Sequence, residues 1–141
     1  MNGAQERYDG DNARLTGIDH VQLTMPAGRE PEEAARDFYT RALGLREIEK
    51  PEALRDRAGL WFEGDGFQVH MGIEEVIETR RHPGFVTDDL AAMRERVSGA
   101  GYEVEEDPGL PGIRRFYTRD PFRNRIEIQQ YVEGWAPGHA P

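Results

Sequence analysis

Residues 17–25, GIDHVQLTM, are the short segment from which the fold of the first half of the chain can be predicted. In an extended chain its residues alternate between two faces, with Ile18, His20, Gln22 and Thr24 on one face and Asp19, Val21, Leu23 and Met25 on the other. This period of two predicts a β-strand. The strand presents His20 on the face opposite the apolar residues Val21 and Leu23.

After this strand, the first half of the chain is predicted to continue with a helix and three further strands. A helix is predicted from Pro31 to Leu43, because proline suits the first helical turn and apolar residues then recur at helical spacing. Gly44 is typical of the residue that ends a helix. Strands follow at residues 45–49, 59–64 and 66–73, the last two around the tight turn Gly64-Asp65-Gly66.

The second half repeats this order of elements. Residues 82–89, HPGFVTDD, predict a strand, and a helix from Leu90 to about Ala100 follows, with Asp88 or Asp89 as its N-cap. Strands are predicted at residues 102–107, 113–120 and 124–132. Residues 108–112, PGLPG, are expected to form a loop.

A constant sequence interval relates the two halves. Gly44 and Gly101 are 57 residues apart, and His70 and Glu127 are separated by the same interval. The interval from His20 to residue 82 is 62, and the extra residues fit the loop PAGREP (26–31) before the first helix. Two copies of one supersecondary unit explain these intervals.

The repeat predicts an α+β fold in which two βαβββ modules form a cupped mixed, mostly antiparallel sheet. The predicted segments are a polar lead-in at 1–15, a first module at 16–75, a second module at 76–132 and a tail at 133–141.

Composition excludes several classes of function. The 141 residues carry a net charge of −9, which repels the phosphate backbone of nucleic acids. No apolar run is long enough to predict a membrane span. The chain has no cysteine, which excludes thiolate nucleophiles and thiolate metal sites and favours a cytoplasmic location. A small molecule is therefore the expected partner.

Four side chains at repeat-equivalent places form the candidate site. His20 and His82 lie on the first strand of each module, whereas His70 and Glu127 lie on the last strands. Imidazole and carboxylate together suit zinc, iron, nickel, manganese or cobalt. A divalent metal ion is therefore predicted where the four strands meet, with coordination positions left for water or substrate.

Four segments together resemble the vicinal oxygen chelate superfamily, which contains glyoxalases, bleomycin-resistance proteins and ring-cleaving dioxygenases. They are IDHVQLTM (18–25), FYTRALGL (38–45), HPGFVTDDL (82–90) and FYTRDPFRNRIEIQQY (116–131). The resemblance covers residues 17–131 and implies that His20, His82 and Glu127 are metal ligands, with Glu127 moving a proton. It also implies a homodimer, in which the site is often completed by the partner chain.

Two positions depart from the family pattern. Arg123 stands where the family usually has a turn glycine, so Asn124 is expected to adopt the positive φ instead. His70 stands where glyoxalase I often has glutamate, and its alternative role is to line the pocket and bond a neighbour. With His70 there, Glu127 is the only carboxylate left to act as a metal-bound base, which argues against methylglyoxal-type isomerisation.

The last hairpin is rich in arginine, and two interpretations of these residues stay open. They are Arg114, Arg115, Arg119, Arg123 and Arg125. Either they form solvated ion pairs, or Arg115 or Arg125 holds an anionic substrate, with Arg125 favoured because it shares the face of Glu127. Trp61 is expected either in the core or in the apolar wall of the pocket.

Three functions are consistent with the sequence. The first is a metal-dependent enzyme acting on a small oxygen-rich substrate, as an isomerase, lyase, group-transfer enzyme or dioxygenase. The second is a metal-free protein of the bleomycin-resistance type that sequesters a drug or metabolite, for which an acidic surface would suit a cationic ligand. The third is a structural or regulatory protein that retains the fold but binds no ligand on the concave face of the sheet.

Overall fold

The structure, a computed structural model, describes residues 13–132 and consists of two modules with the same order of elements. The first module contains β1 (His20–Met25), α1 (Arg29–Arg36, continued by π-helical turns at Asp37–Ala42), β2 (Arg46–Ile48), a 3₁₀ turn (Glu52–Leu54), β3 (Leu60–Glu63) and β4 (Gln68–Ile73). The second contains β5 (Gly84–Val86), α2 (Leu90–Gly99), β6 (Glu105–Leu110), β7 (Ile113–Arg119) and β8 (Arg125–Tyr131).

Each module folds its strands into a four-stranded mixed sheet. The strand orders are β1-β4-β3-β2 and β5-β8-β7-β6. The first and last strands of each module pair in parallel, and the other neighbours pair antiparallel. The predicted α+β class with two βαβββ modules is confirmed. Within the described residues, no strand of one sheet pairs with a strand of the other.

The apolar faces of both sheets share one hydrophobic core with the two helices. Alternation along β4 buries Val69 and Met71 in this core, and alternation along β8 does the same for Ile126 and Ile128. Large aromatic side chains fill the centre, namely Phe38, Tyr39, Phe62 and Phe116. The opposite face of each sheet carries polar side chains, and these polar faces hold the candidate site residues other than His82.

Two surface hydrogen bonds between the helix ends and one buried hydrogen bond join the modules. The Arg96 guanidinium donates to the Arg41 carbonyl at 2.9 Å near the end of α1, and Arg41 donates to the Ala100 carbonyl at 3.0 Å near the end of α2. The buried Asp120 accepts from the Tyr39 hydroxyl at 2.6 Å. These bonds fix the two sheets relative to each other.

Three local expectations differ from the structure. Strand β5 begins at Gly84, so His82 lies just before it rather than within it. Strand β6 continues to Leu110 through an irregularity in its pairing with β7, so the loop expected at 108–112 is wrong over its first half. The turn residue with positive φ is Arg123, at 69°, not Asn124.

The Asn124 side chain instead donates to the Thr24 carbonyl and to Asp120, both at 2.8 Å. This use of Asn124 as a link between the modules explains why the neighbouring arginine takes the positive φ. Of the predicted lead-in and tail, residues 1–12 and 133–141 lie outside the described part of the chain. In the described part, neither helix is long and apolar enough to cross a membrane.

Candidate functional site: two half-sites on two sheets

On the polar face of the first sheet, three flat rings are stacked on one another. Trp61 on β3 and His70 on β4 are directly opposite in the strand register, with ring centroids 3.6 Å apart and planes only 4° from parallel. His20 on the neighbouring β1 covers the other side of His70, at 4.1 Å and 16°. His70 is thus enclosed between two rings and is buried, whereas the His20 side chain is 43% exposed.

The ring nitrogens of the two histidines are used differently. His20 Nδ1 donates to the Asp19 carboxylate at 2.8 Å, which leaves its Nε2 free of a described partner. His70 bonds through Nε2, which lies 2.8 Å from the Gln68 side-chain oxygen. Burial lowers the pKa of His70, and the adjacent His20 lowers it further, while Asp19 opposes the change.

On the second sheet, His82 and Glu127 are in direct contact. The parallel pairing of β5 with β8 sets Gly84 opposite Glu127, and the Glu127 amide donates to the Pro83 carbonyl at 3.1 Å. This register brings His82 Nε2 to 2.9 Å from Glu127 Oε1. The other ring nitrogen of His82, Nδ1, donates to the Arg80 carbonyl at 2.7 Å. The second half-site is therefore a histidine and a buried carboxylate, with the histidine oriented by a backbone carbonyl.

Arg115 on β7 supports Glu127 from the opposite side. Its Nε donates to Asp107 at 3.0 Å, and its Nη1 lies 3.4 Å from Glu127 Oε2. The Glu127 side chain is only 9% exposed and that of Arg115 20%, so this charge pair is partly shielded from water. The Gly109 amide and Arg115 both hold the pKa of Asp107 below its usual range. The charge of Glu127 is thus balanced by Arg115.

Tyr117 and Arg125 complete the second half-site. Tyr117 lies directly opposite Glu127 in the strand register, and its ring meets His82 edge-on at 5.4 Å. The Arg125 guanidinium lies over the Tyr117 ring, 3.9 Å from its centroid. Burial raises the pKa of Tyr117, and the negative charge of Glu127 raises it further. Among the described residues, Arg125 has no carboxylate partner, so its in-plane N–H donors are open to another anion.

The four predicted metal ligands therefore form two pairs on separate sheets. Within residues 13–132 of one chain, no group of three or more His, Cys, Asp or Glu side chains is arranged to hold a metal ion. His20 and His70 belong to the first sheet, whereas His82 and Glu127 lie at the second, so whether the four side chains share one metal ion stays a prediction. A cleft of about 400 Å³ beside β1 and the connection to β5 contains Gln22 and His82.

The chemistry of the donors suits a divalent metal ion even so. His20 and His82 each have Nδ1 bonded to an oxygen, which fixes the ring and leaves Nε2 as the nitrogen available to a metal, although in His82 this nitrogen faces Glu127. Glu127 supplies a carboxylate oxygen beside His82. These are nitrogen and oxygen donors of the kind that zinc and the first-row transition metals accept.

Several contributors were not predicted from the sequence. Asp19 and Gln68 orient the two histidines of the first sheet, while Asp107 and Tyr117 flank Arg115 and Glu127. Asp19 and Gln68 carried a signal, since Asp19 adjoins His20 and Gln68 lies two residues from His70 on the same strand face. Asp107 and Tyr117 are brought to the site by strand register, which involves partners that are distant in sequence.

Comparisons with known proteins agree with this architecture. The model of the Glyoxalase/Bleomycin resistance protein/Dioxygenase superfamily matches residues 17–128. The structure of a putative glyoxalase family protein from Bacillus anthracis is 38% identical with a TM-score of 0.79, over 85% of this chain and 98% of that one. A lactoylglutathione lyase from Agrobacterium tumefaciens (19% identity, TM-score 0.67, 87% and 100% covered) has the same fold. So does an antibiotic binding protein from Streptomyces (18%, 0.65, 86% and 100%).

Proposed function

Since the chain belongs to the Glyoxalase/Bleomycin resistance protein/Dioxygenase superfamily, we propose that it is the subunit of a homodimeric, metal-dependent enzyme of the cytoplasm. Each metal centre is divided between two chains, with His20 from one subunit and His82 and Glu127 from the other. The observation that carries this proposal is the separation of the ligands into two unlike halves on two sheets. Neither half is sufficient alone, and a two-fold dimer brings unlike halves together twice.

Exposed apolar residues beside both half-sites support such a dimer. Ile18, two residues before His20, is 75% exposed, and Val86, on the face of β5 that carries Gly84, is 55% exposed. Ile77 and Leu110 are also more than half exposed. Apolar side chains at the margin of a polar site are typical of surfaces that a partner covers. The partner that would cover both half-sites at once is a second copy of the chain.

The residues of the second half-site can hold and move a proton. A bound divalent ion would polarise a substrate oxygen or acidify bound water. Glu127 is the candidate catalytic base, because its carboxylate lies at the proposed ligand position and the remaining carboxylate of this half, Asp107, is bonded to Arg115 and to a backbone amide. Arg115 Nη1, 3.4 Å from Glu127 Oε2, holds the carboxylate in one orientation, as a positioned general base requires.

Arg125 and Trp61 are the residues we assign to substrate binding, and Arg115 adjoins Arg125 at the Tyr117 ring. The Arg125 guanidinium is held flat by Tyr117 and carries unpaired donors two residues from Glu127 on the same strand face. This arrangement favours a small substrate that bears a carboxylate or phosphate group near its metal-binding oxygens. Trp61 supplies an apolar wall at the first half-site. Isomerase, lyase and dioxygenase chemistry are all compatible with these residues.

A metal-free binding protein is the second candidate. It is favoured by the fact that His82 and Glu127 already satisfy each other's hydrogen bonds without an ion. The antibiotic binding protein from Streptomyces shares the fold. In this case the dimer would hold its ligand in the grooves between the chains, with no turnover.

One experiment separates the two candidates. The untagged protein, purified without chelators, is tested for mass in solution by light scattering and for metal by elemental analysis, beside the His20→Ala and Glu127→Gln variants. The enzyme proposal predicts a dimer with about one transition-metal ion per chain, lost in both variants. A dimer that neither carries metal nor gains thermal stability when metal is added would favour the binding protein instead.

A further inference from the structure

The buried His70 occupies a place from which it cannot share a metal ion with His20. We propose that His70 is a positioning residue that fixes the ring of the metal ligand His20 by stacking, and that the centre has three protein ligands rather than four. This inference rests on the proposed metal centre. It assigns to His70, Trp61 and Gln68 a structural role in that centre.

The ring geometry excludes joint coordination by His20 and His70. A metal ion lies close to the plane of each imidazole that binds it, on the axis of the nitrogen lone pair. The two rings are stacked face to face, with centroids 4.1 Å apart and planes 16° from parallel. Any point between them lies well outside both planes. Neither Nδ1 nor Nε2 can reach such a point along its lone pair, because both nitrogens lie in the same ring plane.

The surroundings of His70 prevent the ring from turning toward a shared ion. Trp61 covers its second face at 3.6 Å with planes 4° apart, and the Gln68 oxygen engages its Nε2 at 2.8 Å. His70 is buried on all these sides. Rotating the ring would break the stack on both faces and the hydrogen bond together.

His20 needs such support because it is the exposed member of the pair. Asp19 fixes one edge of its ring through Nδ1, but a single bond to an exposed carboxylate leaves the ring free to rotate about that contact. The flat face of His70 removes this freedom. The Nε2 of His20 is then presented in one direction, which lowers the entropy lost when the metal binds.

Two substitutions at one position distinguish stacking from coordination. His70→Phe keeps a flat ring but has no donor atom, whereas His70→Gln keeps a donor oxygen but cannot stack. Metal affinity of the dimer is measured by competition with a chromophoric chelator, and the number of bound imidazoles is counted by electron paramagnetic resonance of the copper-loaded protein. The His82→Ala variant serves as the ligand-loss reference.

If His70 acts by stacking, His70→Phe binds metal within about threefold of the unsubstituted protein, and His70→Gln is weaker by about 10- to 100-fold. The spectra then report two imidazoles per metal in both the unsubstituted protein and His70→Phe. The proposal is overturned if His70→Gln binds better than His70→Phe, or if a third imidazole is lost in His70→Phe. If the unsubstituted protein bound no metal, the proposed metal centre itself would be wrong.

Discussion

The two half-sites stand on the same βαβββ frame, yet they hold their functional groups by different forces. In the first module, the imidazole rings are fixed by flat stacking, with His70 between His20 and Trp61. In the second, the buried charge of Glu127 is held by contacts with His82 and Arg115. The difference follows from the chemistry of the side chain at the matched position, because a buried carboxylate needs partners of opposite charge whereas an imidazole needs a complementary surface.

The hairpin turns before these two positions differ in a parallel way. Gly66 and Arg123 are separated by the 57-residue interval that also relates His70 to Glu127, and both have a positive φ, of 85° and 69°. Glycine adopts this conformation without strain, but arginine does not. The Arg123 side chain instead forms ion pairs with Glu78 and Glu103. The two modules thus share the backbone geometry of this turn, although the residue that adopts the positive φ differs between them.

The largest expected effect comes from removing one ligand from each half. His20→Ala and Glu127→Ala should each weaken metal binding by about 100-fold or more, because each removes a side chain that binds the metal directly. Their effects on folding should differ. Glu127→Ala leaves buried partners unpaired and should lower the free energy of unfolding by about 1–3 kcal/mol, whereas His20 is exposed and its loss should cost well under about 1 kcal/mol.

Chelator competition and urea unfolding of the metal-free protein measure these two effects separately. Equal losses of stability in the two variants would contradict the contrast between a stacked half-site and a charged one.

A smaller effect is expected from Arg115, which acts on Glu127 without binding metal. Arg115→Met should weaken metal binding by about tenfold, since the carboxylate loses the guanidinium that orients it. Arg114→Met is the matched control, because Arg114 is the preceding residue on the same strand and its side chain is exposed on the other face. Titration calorimetry with the same metal ion compares them. Equal affinities of the two variants would show that Arg115 does not support the site.

Asp19 provides the corresponding test in the first module. Asp19→Ala should weaken metal binding by less than about tenfold, at the low end of the range for residues that orient a ligand, because its side chain is 85% exposed. Asp65→Ala, in the hairpin turn of the same module, is the control. The same calorimetric measurement applies. A loss as large as that of His20→Ala would mean that Asp19 itself binds the metal.

The smallest effects concern the paired turns. Gly66→Ala should lower the free energy of unfolding by about 1 kcal/mol through backbone strain, since an added Cβ would meet no neighbour there. At low salt, Arg123→Gly should change the free energy of unfolding by less than about 1 kcal/mol. At high salt, where the exposed ion pairs of Arg123 are screened, the same substitution should raise the free energy of unfolding. Urea unfolding at low and high salt measures both. Destabilisation by Arg123→Gly at high salt would contradict the assignment of strain to Arg123.

Local patterns were sufficient to predict most of the fold. The alternation in residues 17–25 and 66–73 and the 57-residue interval predicted the order of helices and strands along both modules and pointed to the candidate site residues. The separation of the sheets could not be predicted, because it depends on packing between residues distant in sequence. The stack on His70 likewise follows from the pairing of β3 with β4, and the positive φ of Arg123 from the use of Asn124 between modules.

A mixed dimer distinguishes a metal centre that is divided between two chains from a centre that is built within each chain. A His20→Ala chain and a Glu127→Ala chain, carrying different affinity tags, are co-expressed, and the mixed dimer is isolated by two purification steps. Because each intact centre needs His20 from one chain and Glu127 from the other, the mixed dimer should regain one metal ion per dimer, while each single-variant dimer has none. A mixed dimer as devoid of metal as its parents would show that each chain builds its own site, and the account would be wrong.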